Sequence, residues 1–105
     1  MNKHLSPIHP GEVLLDDFMK PLGLSQYRLA KDTGVSPIRF SQIVKGHRSI
    51  SVDTAMRLAQ YFSTSAAVWL KSQMRYDLEA GQDDLGERIK REVIVLHQPI
   101  SSSTD

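Results

Sequence analysis

Cysteine is missing altogether from this 105-residue chain. Its absence removes disulfides, thiolate metal sites and cysteine nucleophiles from consideration, and it suits a cytoplasmic protein. Long apolar runs are missing too. The longest, Ala66–Leu70, falls far short of the roughly 20 residues a membrane-spanning helix needs, so no membrane partner is expected. The N-terminal MNKHLSPIHP has no apolar core of the kind a secretory leader carries. Nor is there a glycine-rich phosphate loop, a G-x-S-x-G elbow or an HExxH pair. A small hydrolase built on Ser25, Ser36 or Ser41 therefore has no support, and these serines stand where helix caps belong. Glu12 and Asp16 share a helix face at i and i+4. With no histidine or third carboxylate at ligand spacing, they read as a solvated acidic surface. No catalytic residue, metal ligand or cofactor is expected.

What is present centres on Ser25–Gly46, SQYRLAKDTGVSPIRFSQIVKG, which reads as two short helices joined by a tight turn. Ala30 is small enough for the second helix to cross close above the first, and Gly34 can take a positive φ in the turn. Ser36-Pro37 is a helix start, with serine as N-cap and proline at N1. Phe40 and Ile43 turn one face of the second helix inward. The other face carries Arg39, Ser41, Gln42 and Lys45, with His47 and Arg48 just beyond. Such a surface is suited to reading a major groove and holding phosphates, although the shape alone could be a plain helical corner. His47 reads equally as a phosphate ligand or as an exposed loop residue.

The net charge of +1 is small for a nucleic-acid binder, but it is unevenly distributed. Residues 1–19 carry −2, residues 20–62 carry +5 and residues 63–105 carry −2. The basic segment contains the helix-turn-helix, and counterion release depends on such local density rather than on the total.

Along the chain, residues 1–8 read as an irregular arm. GEVLLDDFMKPLG follows, with Leu14, Leu15, Phe18 and Leu22 on one side of a first helix that Pro21 and Gly23 end. Ser25 caps the second helix, with Leu29 and Ala30 inward, and Gln26 just after the cap faces the DNA backbone if the motif docks. Gly46 reads as a left-handed residue closing the recognition helix. Ser51 caps a fourth helix over 52–62, with Ala55, Leu58, Ala59 and Phe62 on one stripe and Arg57 solvated elsewhere. Ser65 caps a fifth over 66–80, its apolar residues being Val68, Trp69, Leu70, Met74 and Leu78. Trp69 reads as a core anchor rather than a base-stacking platform, because its neighbours are aliphatic. Gly81 is expected to break this helix. Residues 81–98 then form an extension with a narrow stripe, Leu85, Ile89 and Val93, which is either a subunit interface or packs back on the monomer. Val93–Leu96 suits a helix or a strand equally. Residues 99–105 read as a disordered tail, leaving residues 9–80 as one all-α domain.

The order of five helices resembles lambda-repressor-like (Cro-type, XRE) DNA-binding domains. HPGEVL at 9–14, LA at 29–30, GVSP at 34–37, IVKGHRSIS at 43–51, DTAMRLAQYF at 53–62 and YDLEAG at 76–81 more narrowly resemble HigA-type (VapI-type) antitoxins. That resemblance implies a homodimer that binds its own double-stranded operator DNA and neutralises a RelE/HigB-like toxin, a ribosome-dependent mRNA endonuclease. It places Pro37, Ile38, Arg39 and Gln42 at base-contacting positions, and Gln26, Lys45 and Arg48 at backbone-contacting ones. Ser36, Ser41 and His47, on or beside the same face, complete the backbone set. Pro37 and Ile38 depart from the broader repressor pattern, which has polar side chains there. Ile38 can still touch a thymine methyl, so specificity falls to Arg39, Gln42 and DNA shape.

Overall fold

The computed structural model describes residues 6–97. The expected tail and residues 1–5 of the expected arm lie outside them, and residues 6–9 are irregular chain. The described residues form five helices and no strand. The first, α1, runs without interruption through Pro10–Val13, Leu14–Met19 and Lys20–Leu22. Then come α2 (Gln26–Thr33), α3 (Pro37–Val44), α4 (Val52–Phe62) and α5 (Ala66–Glu92). Four of them begin at a serine. The Oγ atoms of Ser25, Ser36, Ser51 and Ser65 accept the amides of Arg28, Arg39, Thr54 and Val68, each satisfying a donor that the first turn leaves over.

The start of α1 is of another kind. His9 is its N-cap: Nδ1 accepts the Gly11 amide at 2.9 Å, and the His9 amide donates back to Glu12 Oε2 at 3.4 Å. His9 is buried, with its ring edge-on to Tyr76 at 4.7 Å. Gly11 lies against α3, where a Cβ would come 1.8 Å from the Ile43 carbonyl oxygen. The HPGE sequence is thus a reciprocal cap followed by a residue without a side chain at a helix crossing.

Leu14–Met19 is π-helical, and this corrects the expected inner face. The wider π turn brings Met19 round toward Leu14 and into the core, while Leu22, in the last turn of the helix, is exposed. A proline crowds the carbonyl four residues back. For Pro21 that is Asp17, inside the wider π turn. Gly23, at φ +62°, closes the helix.

The core comprises Leu14, Met19, Leu29, Ala30, Val35, Phe40, Ile43, Ile50, Ala55, Leu58 and Trp69. Phe18 and Phe62 pack on it at 4.8 Å from each other, and Phe18 lies 5.1 Å from Trp69. Trp69 is a buried anchor whose indole N–H donates to Thr64 Oγ1 at 3.0 Å. A buried amide, Gln73, ties α5 to the chain ahead of α4 by accepting the Ile50 amide at 2.8 Å.

Gly81 does not end the fifth helix. α5 is continuous for 27 residues, about 40 Å at 1.5 Å per residue, in a molecule whose longest dimension is 55 Å. A helix-interior glycine costs only about 1 kcal/mol, and neither a left-handed cap nor a proline follows it before Glu92. The helix ends at Val93, and 93–97 is irregular chain, neither of the two forms its composition suits. Of the expected apolar residues on α5 only Trp69 is buried and Leu70 half-buried. Val68, Met74 and Leu78 face outward, as do Leu85 (43% exposed), Ile89 (49%) and Val93 (60%).

Candidate nucleic-acid interface

Local chemistry builds the two-helix motif. Gly34, at φ +79°, ends α2 with its amide donating to the Ala30 carbonyl at 2.9 Å. Thr33 Oγ1 donates to the Leu29 carbonyl at 2.7 Å, and Val35 is buried in the turn. α3 then starts at the Ser36 cap with Pro37 at N1. Phe40 and Ile43 are fully buried. At about 100° per residue, Ile38, Ser41, Gln42 and Lys45 share the opposite face, Arg39 stands on one shoulder and Pro37 on the other. Ile38 is 71% exposed, Lys45 and Pro37 are exposed, and Arg39, Ser41 and Gln42 are half-exposed. Gln26 is the half-buried first residue of α2.

The chain turns sharply after α3. Gly46 sits at φ +78°, its amide donates to the Ile43 carbonyl at 2.9 Å, and the His47 amide donates to the Gln42 carbonyl at 2.8 Å. This turn carries the exposed His47 and Arg48 back beside the outer face of α3. Arg48 Nε donates to Gln42 Oε1 at 2.7 Å, so two residues expected in different roles are joined.

The structure also sorts the cations. Lys20 pairs with Asp16 at 3.1 Å, Arg28 with Asp32 at 2.7 Å and Arg57 with Asp53 at 3.1 Å. Among the described residues Arg39, Lys45, Lys31, Lys71 and Arg91 make no ion pair, and Arg48 is bonded to a neutral amide. Arg39, Lys45 and Arg48 thus bring uncompensated positive charge together on α3 and the turn behind it.

Arg57 is not a merely solvated residue. Its guanidinium reaches the Thr33 carbonyl at 2.9 Å. Asp32, near the same helix end, receives the Tyr61 hydroxyl at 2.6 Å as well as Arg28. The Tyr61 hydrogen bond, followed by that of Arg28, holds the Asp32 carboxyl below its ordinary pKa. These bonds brace the end of α2 from α4. His9, Gly11, Gln73 and Arg57 were not legible as structural residues in the sequence. Only Glu12, three places after His9, hinted at a reciprocal cap.

Among the described residues no three histidine, aspartate or glutamate side chains gather as a metal site, and no helix is long and apolar enough to cross a membrane.

Comparison with known proteins agrees with this geometry. The family described as Helix-turn-helix (HTH_3) matches residues 15–69, which contain the two-helix motif and its supporting helices. The chain belongs to the XRE-type helix-turn-helix family. Within that family it is 48% identical over 77 residues to virulence-associated protein I of Dichelobacter nodosus, covering 73% of this chain and 71% of that protein. Antitoxin HigA of Pseudomonas aeruginosa, solved with the higBA promoter, superimposes with a TM-score of 0.83 at 40% identity, over 87% of this chain and 99% of that one. Antitoxin GraA in complex with its operator gives 0.83 at 32% identity, over 93% and 99%. The five helices match the HigA-type fold.

Proposed function

We propose that this chain is a cytoplasmic antitoxin and autorepressor with no catalytic role. It binds operator DNA through α3 as a homodimer and neutralises a RelE/HigB-like toxin. The observation that carries the DNA part is the outer face of α3, where Arg39 and Lys45 are uncompensated beside Gln42 and Arg48. Pro37, Ile38, Arg39 and Gln42 meet base edges. Gln26, Ser36, Ser41, Lys45, His47 and Arg48 hold the phosphates. The likeness to antitoxins solved with promoter and operator DNA supports this reading.

One motif covers one half-site, and two-fold binding spaces half-sites by about 34–36 Å. With α3 committed to DNA, the subunit contact falls to the exposed stripe Leu85, Ile89 and Val93 on the projecting end of α5. A second reading is a stand-alone regulator without a toxin. It is favoured by 33% identity over 72 residues to the Escherichia coli uncharacterized HTH-type transcriptional regulator YbaQ.

The test has two arms. Binding to the duplex upstream of the protein's own reading frame is titrated against salt, where each neutralised phosphate contributes about −0.9 to the slope of log K against log salt. Lys45→Ala should flatten that slope and weaken all sequences alike, while Arg39→Ala should cost about 1–3 kcal/mol on the operator and little on random duplex. A salt-independent wild type rejects the DNA reading. In the second arm, the product of the adjacent reading frame is co-expressed. Rescue of growth and co-purification support the antitoxin, and their absence with operator binding intact leaves the stand-alone regulator.

A further inference from the structure

Gln42 and Arg48 are bonded to each other on the face that also carries the unpaired Arg39 and Lys45. The bond is placed by the backbone: the left-handed Gly46 and the His47 amide donating to the Gln42 carbonyl bring residue 48 over residue 42. The orientation of the amide follows from chemistry alone. Arginine has donors and no acceptor, so the atom 2.7 Å from Arg48 Nε must be the Gln42 oxygen. The Gln42 NH₂ group makes no hydrogen bond to any described residue and is left to the outer face.

An unconstrained glutamine recognises adenine with both ends of its amide. The oxygen accepts from N6–H₂ and the nitrogen donates to N7. Here the oxygen already binds a cation. It keeps a second lone pair, but an oxygen bound to a guanidinium is a poorer acceptor, and adenine N6–H₂ would bring another donor against the same charge. Guanine presents two acceptors, O6 and N7, and no donor at that place. The guanidinium also polarises the amide and strengthens its N–H groups as donors.

Resting on the operator-binding reading above, we propose that Arg48 is a positioning residue that turns Gln42 into a donor-only reader, so that Gln42 selects guanine over adenine. Arg48 thereby contributes to sequence choice and not only to phosphate neutralisation.

The test selects operators from a randomised duplex pool with the wild-type protein. The base pair read by Gln42 is located as the one whose preference is flattened in Gln42→Leu. Competition among the four versions of that pair is then measured for wild type, Arg48→Met, Gln42→Leu and the double variant. Wild type should favour guanine over adenine by about tenfold, the discrimination expected of a good base contact. Arg48→Met should lose affinity on every duplex and move the guanine-to-adenine ratio toward adenine by about the same factor. The double variant should show the flat preference of Gln42→Leu alone. A wild type that favours adenine, or an Arg48→Met whose ratio is unchanged, overturns the proposal. So does a ratio that Arg48→Met still shifts in the Gln42→Leu background, because Arg48 would then be reading the base itself. If wild type enriches no sequence from the pool, operator binding itself fails, a result distinct from any of these.

Discussion

Arg57 on α4 donates to the main-chain carbonyl of Thr33, 24 positions earlier, at 2.9 Å. That carbonyl lies at the C-terminal end of α2, where the helix leaves acceptors unsatisfied and its dipole favours a cation. Gly34 follows it at φ +79°, and a Cβ there would stand 2.8 Å from the Arg57 guanidinium. The turn of the DNA-reading motif is therefore braced from α4. Its glycine serves both a backbone conformation and the path of an arginine.

Arg57→Ala should lower stability by about 1 kcal/mol, the loss of one charge-assisted hydrogen bond discounted for its partial exposure. Urea unfolding measures this. Arg75→Ala, which removes only an exposed pair with Glu79, is the control and should change stability by less than about 0.5 kcal/mol. Equal effects from the two variants would remove the bracing role.

Two glycines should respond in opposite directions to the same change. Gly11→Ala drives a Cβ into the Ile43 carbonyl and should cost about 3 kcal/mol or more, since neither backbone can yield without parting α1 from α3. Gly81→Ala meets nothing and should stabilise α5 by up to about 1 kcal/mol. Thermal melts of both variants check this, and a stabilising Gly11→Ala would contradict the helix crossing.

Burial holds the His9 imidazole below the ordinary histidine pKa, outweighing the pull of Asp77 and Glu12. The unfolded chain then takes up the proton first as pH falls. Stability from this group is complete above the ordinary histidine value and declines as pH drops through that value toward the lower folded one. Protonation at Nδ1 would also remove the acceptor of the Gly11 amide. The melting temperature should fall between about pH 7.5 and about pH 5.5. His9→Asn, which keeps an N-cap acceptor without titrating, should flatten that dependence. An unchanged slope would assign it to other groups.

The projecting end of α5 offers a test of subunit association. Ile89→Asp combined with Val93→Asp places charges on the exposed stripe and leaves the core residues Ala30, Phe40, Ile43 and Leu58 untouched. Sedimentation should show a folded monomer, with operator affinity falling steeply and weak non-specific binding surviving. A variant that remains a dimer would move the interface to another surface. One that unfolds would place the stripe in the monomer core.

Features that close within four residues were legible in the chain before folding. Serine caps at 25, 36, 51 and 65 need only an amide three places on, and Gly34 and Gly46 need only a left-handed backbone. The burial of Phe40, Ile43, Ala55 and Leu58 follows from helical spacing, and with it the outward face bearing Arg39, Gln42 and Lys45. Tertiary structure decided the rest. The π turn that brings Met19 into the core, and the passage of α5 through Gly81, depend on neighbouring turns and on the lack of a competing cap rather than on periodicity. The approach of Gly11 to Ile43, the Gln73 bond to Ile50 and the Arg57 bond to Thr33 join groups more than 20 residues apart. Such contacts leave no local pattern, because a side chain's partner across the core is set by where helices cross. The Gln42–Arg48 pair lies between these extremes: the glycine turn that makes it possible is local, but only the folded turn brings the guanidinium to the amide oxygen.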